Sequence, residues 1–279
     1  MLLLSVSASV LSLLVAPATA DARSVWPTHG QASLQLDGNP LRSSPHQHAV
    51  PIASVAKVMT AVLVLRHFPV RPGHAGFRMT VTPRDVADTA RRIGREESYV
   101  PVRSGERLTE TQALAALLLP SANNIAVMLA RKAAGTVARF VRWMNILARK
   151  LGLKHTRYTD PSGFDPRTVS TAADQTTLAK AALKLPMFRT LVRTRSYRIP
   201  VAGVVHSTDT LLGHDGFAGI KTGSMWQSGG CFMFLSHRLV WGERVDVVGV
   251  VLGQPGPNLI AAGLRAAKRL VDRVAPYPA

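Results

Sequence analysis

From residue 54 to residue 68 the chain is apolar at almost every position except Lys57 and Arg66, a pattern that predicts a helix buried on most sides and stopped by Pro69. Upstream, residues 32–37 alternate in polarity as a half-buried strand does, Gly38, Asn39 and Pro40 mark a turn, and 41–51 read as a loop. Residues 70–108, rich in Gly, Pro, Arg and Thr, read as small strands and loops with no firm element among them. Helical spacing then takes over in four stretches, 109–119, 124–134, 136–150 and 172–185, with Pro120 and Gly135 separating the first three. After Pro186 strand patterns return at 196–201, 219–223, 230–236 and 245–252, and an amphipathic helix is predicted over 258–274. A strand near the start, a helical middle and a run of strands near the end predict an α/β protein of the α+β kind. Its largely antiparallel sheet is flanked by helices, and an all-helical region over about residues 70–190 is inserted between the sheet strands.

Composition narrows the class. A hydrophobic share of 47% over 279 residues supports a sizeable core and excludes a disordered chain. The first 20 residues carry no charged side chain, and an apolar run over 2–15 is followed by Ala18, Thr19 and Ala20, which fits a signal-peptidase site. The expected organisation is a signal peptide over 1–20, cleaved after Ala20, and one domain over 21–279, placed outside the cytoplasm. The apolar run is shorter than the ~20 residues a spanning helix needs. Cys231 is the only cysteine, so neither an intrachain disulfide nor a cysteine-based metal site is available.

The net charge of +18 falls entirely after residue 20. Such an excess attracts polyanions, and an exported start shifts the expected partner from nucleic acid to the anionic surface of the cell envelope.

Three short motifs carry candidate chemistry: Ser54-Val55-Ala56-Lys57, Ser121-Ala122-Asn123 and Lys221-Thr222-Gly223. With 19 serines and 8 lysines in the chain, chance supplies about half a match to S-x-x-K, so the first motif alone decides nothing and the conjunction decides. A serine hydroxyl needs a base within hydrogen-bond reach, and a lysine three residues later on a helix meets it on the same face. Within an apolar helix the ammonium form of Lys57 is disfavoured, which lowers its pKa towards values at which it accepts the Ser54 proton. Ser121 and Asn123 open a polar loop after Pro120, where both side chains can face a cleft; an N-cap for the helix that follows is the alternative. Lys221 sits on a strand between glycines, which allows an extended peptide to approach while its ammonium and the Thr222 hydroxyl bind a carboxylate.

The order of these motifs resembles that of the penicillin-binding proteins and serine β-lactamases. The chain is most similar there to the low-molecular-mass D-alanyl-D-alanine carboxypeptidases, peptidase family S11. The stretches that carry the likeness are 52–61, 117–124 and 216–224. The resemblance implies the serine β-lactamase/DD-peptidase-like fold, with Ser54 as nucleophile, Lys57 as its base and Ser121 as the proton relay to the leaving amine. Asn123 would hold the substrate backbone, and Lys221, Thr222 and Gly223 the end of a D-Ala-D-Ala stem of peptidoglycan. The backbone N–H groups of Ser54 and Ser224 would form the oxyanion hole. β-Lactams are the implied inhibitors. The family more often has Gly at position 122 and Thr at 224, changes that leave this chemistry intact, and the expectation is a catalytic domain alone.

Alternative functions stand beside this one. A DD-endopeptidase would use the same acyl-enzyme on cross-links. A class A β-lactamase needs a carboxylate after the S-x-N motif, yet no Glu lies between Glu110 and Glu243, and the loop 160–165 resembles the S11 pattern instead. A non-catalytic peptidoglycan-binding protein has no need of Ser54, Lys57 and Lys221 together, and a nucleic-acid module lacks any recognisable binding motif. His46-Gln47-His48 has metal-like spacing but no acidic partner nearby, and there is no G-x-S-x-G elbow, so neither a metal nor a cofactor is expected.

Overall fold

In the computed structural model, residues 25–240 and 242–277 are described, so the expected signal peptide over 1–20 lies outside them. Strand β1 (Gln31–Leu36) is followed by the short strands β2 (Arg42–Ser43) and β3 (Val50–Pro51). A single 3-10 turn, Ala53–Ala56, leads into helix α1 (Lys57–His67), whose residues are buried from Lys57 through Leu65. Strand β4 (Arg78–Thr80), helix α2 (Pro83–Ile93) and strand β5 (Arg107–Thr109) come next. Helix α2 corrects the reading of 70–108 as loops and small strands. Thr82 caps it in a reciprocal box with Asp85, and Pro83 occupies its first turn, where a missing N–H costs nothing.

Helices α3 (Glu110–Leu118), α4 (Asn123–Ala134) and α5 (Val137–Lys150) follow. Beyond them come β6 (Val169–Ser170), α6 (Ala172–Leu183), α7 (Pro186–Val192), β7 (Ser196–Ile199) and β8 (Gly203–His206). The chain then runs through β9 (Phe217–Met225), β10 (Gly229–Val240), β11 (Glu243–Gln254) and α8 (Leu259–Val274).

The main sheet has five antiparallel strands in the order β2-β1-β11-β10-β9, which brings the amino-terminal strand back against the carboxy-terminal ones. Strand periodicity divides its side chains between two apolar layers. Cys231, Met233 and Leu235 of β10 face the large core shared with helices α1, α3, α4 and α6, whereas Phe232 and Phe234 face a second layer closed by α8. Each fully buried phenylalanine contributes about 2–3 kcal/mol of transfer free energy, so the β10 pair, with Phe217 of β9 and Val247 and Val251 of β11, anchors α8 to the sheet. The β-lactamase-like arrangement expected from the sequence is present, a predominantly antiparallel sheet flanked by helices, but the region over 70–190 is not all-helical: the short strands β4, β5 and β6 lie among its helices. Strand β9 extends two residues beyond its predicted bounds at each end, and β10 overruns chiefly at 237–240, beside the hairpin into β11, where buried positions give way to the exposed Leu239.

Candidate active site

Lys57 enters α1 with no exposed surface, directly after the 3-10 turn that presents Ser54. Its Nζ lies 2.7 Å from Ser54 Oγ and donates to the Ser162 carbonyl at 2.9 Å. Burial pushes this amine well below the ordinary 10.5, the charge of Lys221 lowers it further, and Asp160 and Glu97 partly offset both. A neutral amine next to a hydroxyl is the arrangement a base needs: its lone pair can take the Oγ proton as the oxygen attacks.

The Ser162 carbonyl is held by a loop wound around Asp160. That carboxylate accepts from Ser162 N at 3.1 Å, Gly163 N at 3.1 Å, Phe164 N at 3.1 Å and Thr168 Oγ1 at 2.7 Å. Thr60 of α1 pins the same loop by donating to the Pro161 carbonyl at 2.7 Å. Gly163 has φ +79°, and a Cβ there would lie 1.8 Å from the Ala53 carbonyl oxygen. Only glycine satisfies both constraints. Gly163→Ala is therefore expected to destabilise the protein by roughly 3 kcal/mol or more, which lowers Tm by about 9 °C. Thermal unfolding of the variant checks this, and an unchanged Tm would show that the loop can move off Ala53 freely.

Ser121 adopts φ +69°, rare for a residue with a side chain, and its hydroxyl is buried with no hydrogen-bond partner. It is not the cap of α4: Ala122 occupies that position without a side-chain bond, so the N-cap alternative is not realised. A strained, unsatisfied hydroxyl is costly and is the kind of feature retained for a reacting partner. Asn123, two residues on, donates from Nδ2 to Glu97 Oε2 at 2.8 Å, while its Oδ1 is buried and unpaired. The next residue, Asn124, bonds both the N–H and the carbonyl of Val100, so the start of α4 clamps the segment that carries Glu97.

Strand β9 supplies the opposite wall. Lys221 and Thr222 are buried, Thr222 Oγ1 lies 2.5 Å from Thr208 Oγ1, and Lys221 Nζ donates to the Thr222 carbonyl at 3.1 Å. Burial lowers Lys221 to about 7, opposed by the charge of Asp209, whose own carboxyl burial raises to about 6. A Cβ on Gly223 would stand 3.1 Å from Ser54 N and 3.2 Å from Val55 N, so the absent side chain lets β9 pack against the Ser54 backbone.

Ser54, Asn123 and Ser224 line one cleft of about 860 Å³, together with Glu97, Phe164 and Trp226. Lys57, Ser121, Lys221 and Thr222 are buried and do not themselves line it; Lys57 reaches it through its bond to Ser54, and β9 through the packing of Gly223 on the Ser54 backbone. Three motifs separated by 64 residues or more thus converge on a single site. The sequence reading missed Glu97 and Arg92, which also line this cleft, and Thr208 and Asp209, which touch or face the β9 residues. The capping box of Thr82 and Asp85 could have revealed the helix that carries Arg92; nothing local marks Glu97. His46 and His48 are exposed, and no group of three or more His, Cys, Asp or Glu suited to a metal occurs among the described residues.

Comparison with known proteins shows what the chain as a whole resembles. Residues 37–256 match the peptidase S11 family model, described as D-alanyl-D-alanine carboxypeptidase. A D-alanyl-D-alanine endopeptidase of Pseudomonas aeruginosa is 34% identical over 154 residues, which cover 55% of this chain and 46% of the relative. A D-alanyl-D-alanine carboxypeptidase of Streptomyces sp. (strain K15) is 31% identical over 177 residues, covering 57% of this chain and 60% of that one. The matched regions thus span about half the length of these curated relatives. Among solved structures, the Streptomyces K15 DD-transpeptidase superposes with a TM-score of 0.75 at 26% identity, covering 88% of this chain and 97% of that one.

Proposed function

The chain belongs to the D-alanyl-D-alanine carboxypeptidase family, peptidase S11, and from that membership we propose that it is an extracytoplasmic serine carboxypeptidase acting on peptidoglycan stem peptides that end in D-Ala-D-Ala. The observation that carries this reading is the buried Lys57 amine 2.7 Å from Ser54 Oγ. Ser54 Oγ attacks the carbonyl of the penultimate D-Ala as its proton passes to Lys57. The backbone N–H groups of Ser54 and Ser224 take the developing oxyanion. Ser121 returns the proton to the leaving D-Ala nitrogen, the C–N bond breaks, and an ester on Ser54 remains for water to hydrolyse. Lys221 and Thr222, beside Gly223, bind the terminal carboxylate, and Asn123 holds the stem backbone. In a β-lactam the leaving nitrogen stays tethered to the acyl group, so the same ester forms and releases slowly.

Export is part of the proposal: residues 1–20 would be removed as a signal peptide and 21–279 would act as the catalytic domain. No helix among the described residues is long and apolar enough to cross a membrane. The charge of +18 would then hold the protein at the anionic envelope surface.

The name of the Pseudomonas relative favours a second reading, an endopeptidase that cuts cross-links through the same ester. Incubation with a synthetic acyl-D-Ala-D-Ala peptide and, separately, with cross-linked stem-peptide dimers separates the two. Loss of one D-Ala from the peptide with dimers intact is the expected result, dimer cleavage transfers the proposal to cross-links, and no product from either removes the peptidase reading.

A further inference from the structure

Glu97 is a carboxylate with no exposed side-chain surface in the wall of the cleft. Burying a charge there is costly unless it is paired, and here Oε2 is doubly hydrogen-bonded while the buried Oε1 accepts no hydrogen bond. Oε2 accepts from Arg92 Nη1 at 2.6 Å and from Asn123 Nδ2 at 2.8 Å, and Arg92 is itself held by Asp88 one helical turn earlier through a 2.9 Å contact. Arg95 Nη1 stands 3.5 Å from Oε1. The segment is tied at its backbone too, since Glu97 N donates to Arg92 O at 3.1 Å and Asn123 N to Ser98 O at 2.8 Å.

A neutral glutamine would have nearly the same shape and a smaller desolvation cost, but it would lack one property. An ionised carboxylate is acceptor-only, so it tolerates the Nδ2 side of a neighbouring carboxamide and repels the Oδ1 side. A glutamine could rotate to meet either. We propose that Glu97 is a positioning residue that acts through Asn123, locking its carboxamide in one of two flips so that the cleft presents a fixed donor and acceptor pattern to the acyl group being transferred. The unpaired Oδ1 is the consequence: it is left on the side away from Glu97, buried without a partner. Helix α2 has a part in this, because it aims Arg92 at Glu97.

This inference rests on the acyl-enzyme reading, and a double-mutant cycle separates the two. The second-order rate of acylation by a fluorescent penicillin is measured, as a function of pH, for wild type, Glu97→Gln, Asn123→Ala and the double variant, with Tm recorded for each. Glu97→Gln is expected to lower the plateau rate about tenfold and Asn123→Ala about a hundredfold. The double variant is expected to match Asn123→Ala within about twofold, because a residue acting only through Asn123 has nothing left to act on. Should Glu97→Gln fold poorly, Glu97→Asp in the same two backgrounds completes the cycle.

Additive losses would overturn the inference while leaving the acyl-enzyme reading in place. So would a Glu97→Gln effect confined to the acid limb of the pH profile, since Glu97 also bears on the charge of Lys57 and would then be acting on the base. A loss that follows Tm alone would reduce Glu97 to a structural role. A wild-type protein that takes no acyl group overturns the reading and this inference together.

Discussion

Wild-type protein mixed with a penicillin gains the mass of one intact β-lactam and keeps it for many minutes, whereas Ser54→Ala gains nothing. The expected loss in acylation rate is on the order of 10⁴-fold or more, the scale on which serine hydrolases respond to removal of the nucleophile. The variant should still fold. Ser54 is half-buried in a 3-10 turn, Lys57 keeps its bond to the Ser162 carbonyl at 2.9 Å, and the apolar face of α1 is untouched. A change of about 2 °C or less in Tm is therefore expected alongside complete loss of the adduct. An adduct that persists on Ser54→Ala would move the nucleophile elsewhere. An adduct that forms on wild type and is released within seconds would favour a β-lactamase, and here the position of Glu97 bears on the answer. The β-lactamase alternative fails on sequence for want of a glutamate after the S-x-N motif, yet the structure brings Glu97 into the cleft from before it. Two arginines face that carboxylate and Asn123 occupies its Oε2, a setting that suits an orienting role far better than that of a free base.

The contrast between Ser54 and Glu97 explains what could be read from the chain and what could not. Helix α1 announces itself because its burial is nearly complete, and an apolar run in which Lys57 is the one charge before Arg66 states both the helix and the anomaly. The β9 motif is visible for a similar local reason, because Gly219 and Gly223 bracket Lys221 in the sequence; in the fold a Cβ on Gly223 would crowd Ser54 N at 3.1 Å. Helix α2 is different. Its buried residues are Asp85, Asp88 and Thr89, while Val86 is only partly buried and Ile93 exposed, so much of its hold comes from a cap and from ion pairs such as Arg131 Nη1 to Asp85 Oδ1 at 2.9 Å. Charged and hydroxyl residues outnumber apolar ones there, and the helical spacing of Val86, Ala90 and Ile93 is easily passed over among them. Glu97 is harder still, since its meaning depends on Asn123, 26 positions away, and on Arg92 from a helix the pattern did not predict. Asp209 is hidden in the same manner: its proximity to Lys221 is made by the return of the chain from β8 to β9.

Lys221→Met should make the protein both more stable and far less active. A fully buried amine whose pKa falls from 10.5 to about 7 corresponds to roughly 5 kcal/mol of destabilisation when charged. The sign follows from proton counting. Between pH 7 and 10.5 the unfolded chain binds the lysine proton and the folded chain largely does not, so folding is most favoured above 10.5 and loses ground as pH falls towards 7. Methionine, of similar length and without charge, removes that cost, but it leaves the buried Asp209 without its neighbouring cation. A net gain of roughly 3 kcal/mol, about 8 °C in Tm, is expected at pH 7, shrinking as the comparison is repeated towards pH 10. Adding Asp209→Asn should recover more of the full gain.

Acylation should fall about a hundredfold in the same variant, because the charge-assisted bond proposed between Lys221 and the ligand carboxylate would be lost. Wild type should show a bell-shaped profile: an acid limb as Lys57 loses its proton and an alkaline limb above about 7 as Lys221 loses the charge that binds carboxylate. The two lysines can divide the work only if Lys57 titrates below Lys221, and the charge on Lys221 pushes it in that direction. Loss of the alkaline limb in Lys221→Met, with the acid limb shifted to higher pH, would assign each limb to its lysine. A variant that is destabilised at pH 7 and keeps its alkaline limb would show that Lys221 is neither the charge that costs stability nor the one that binds the ligand.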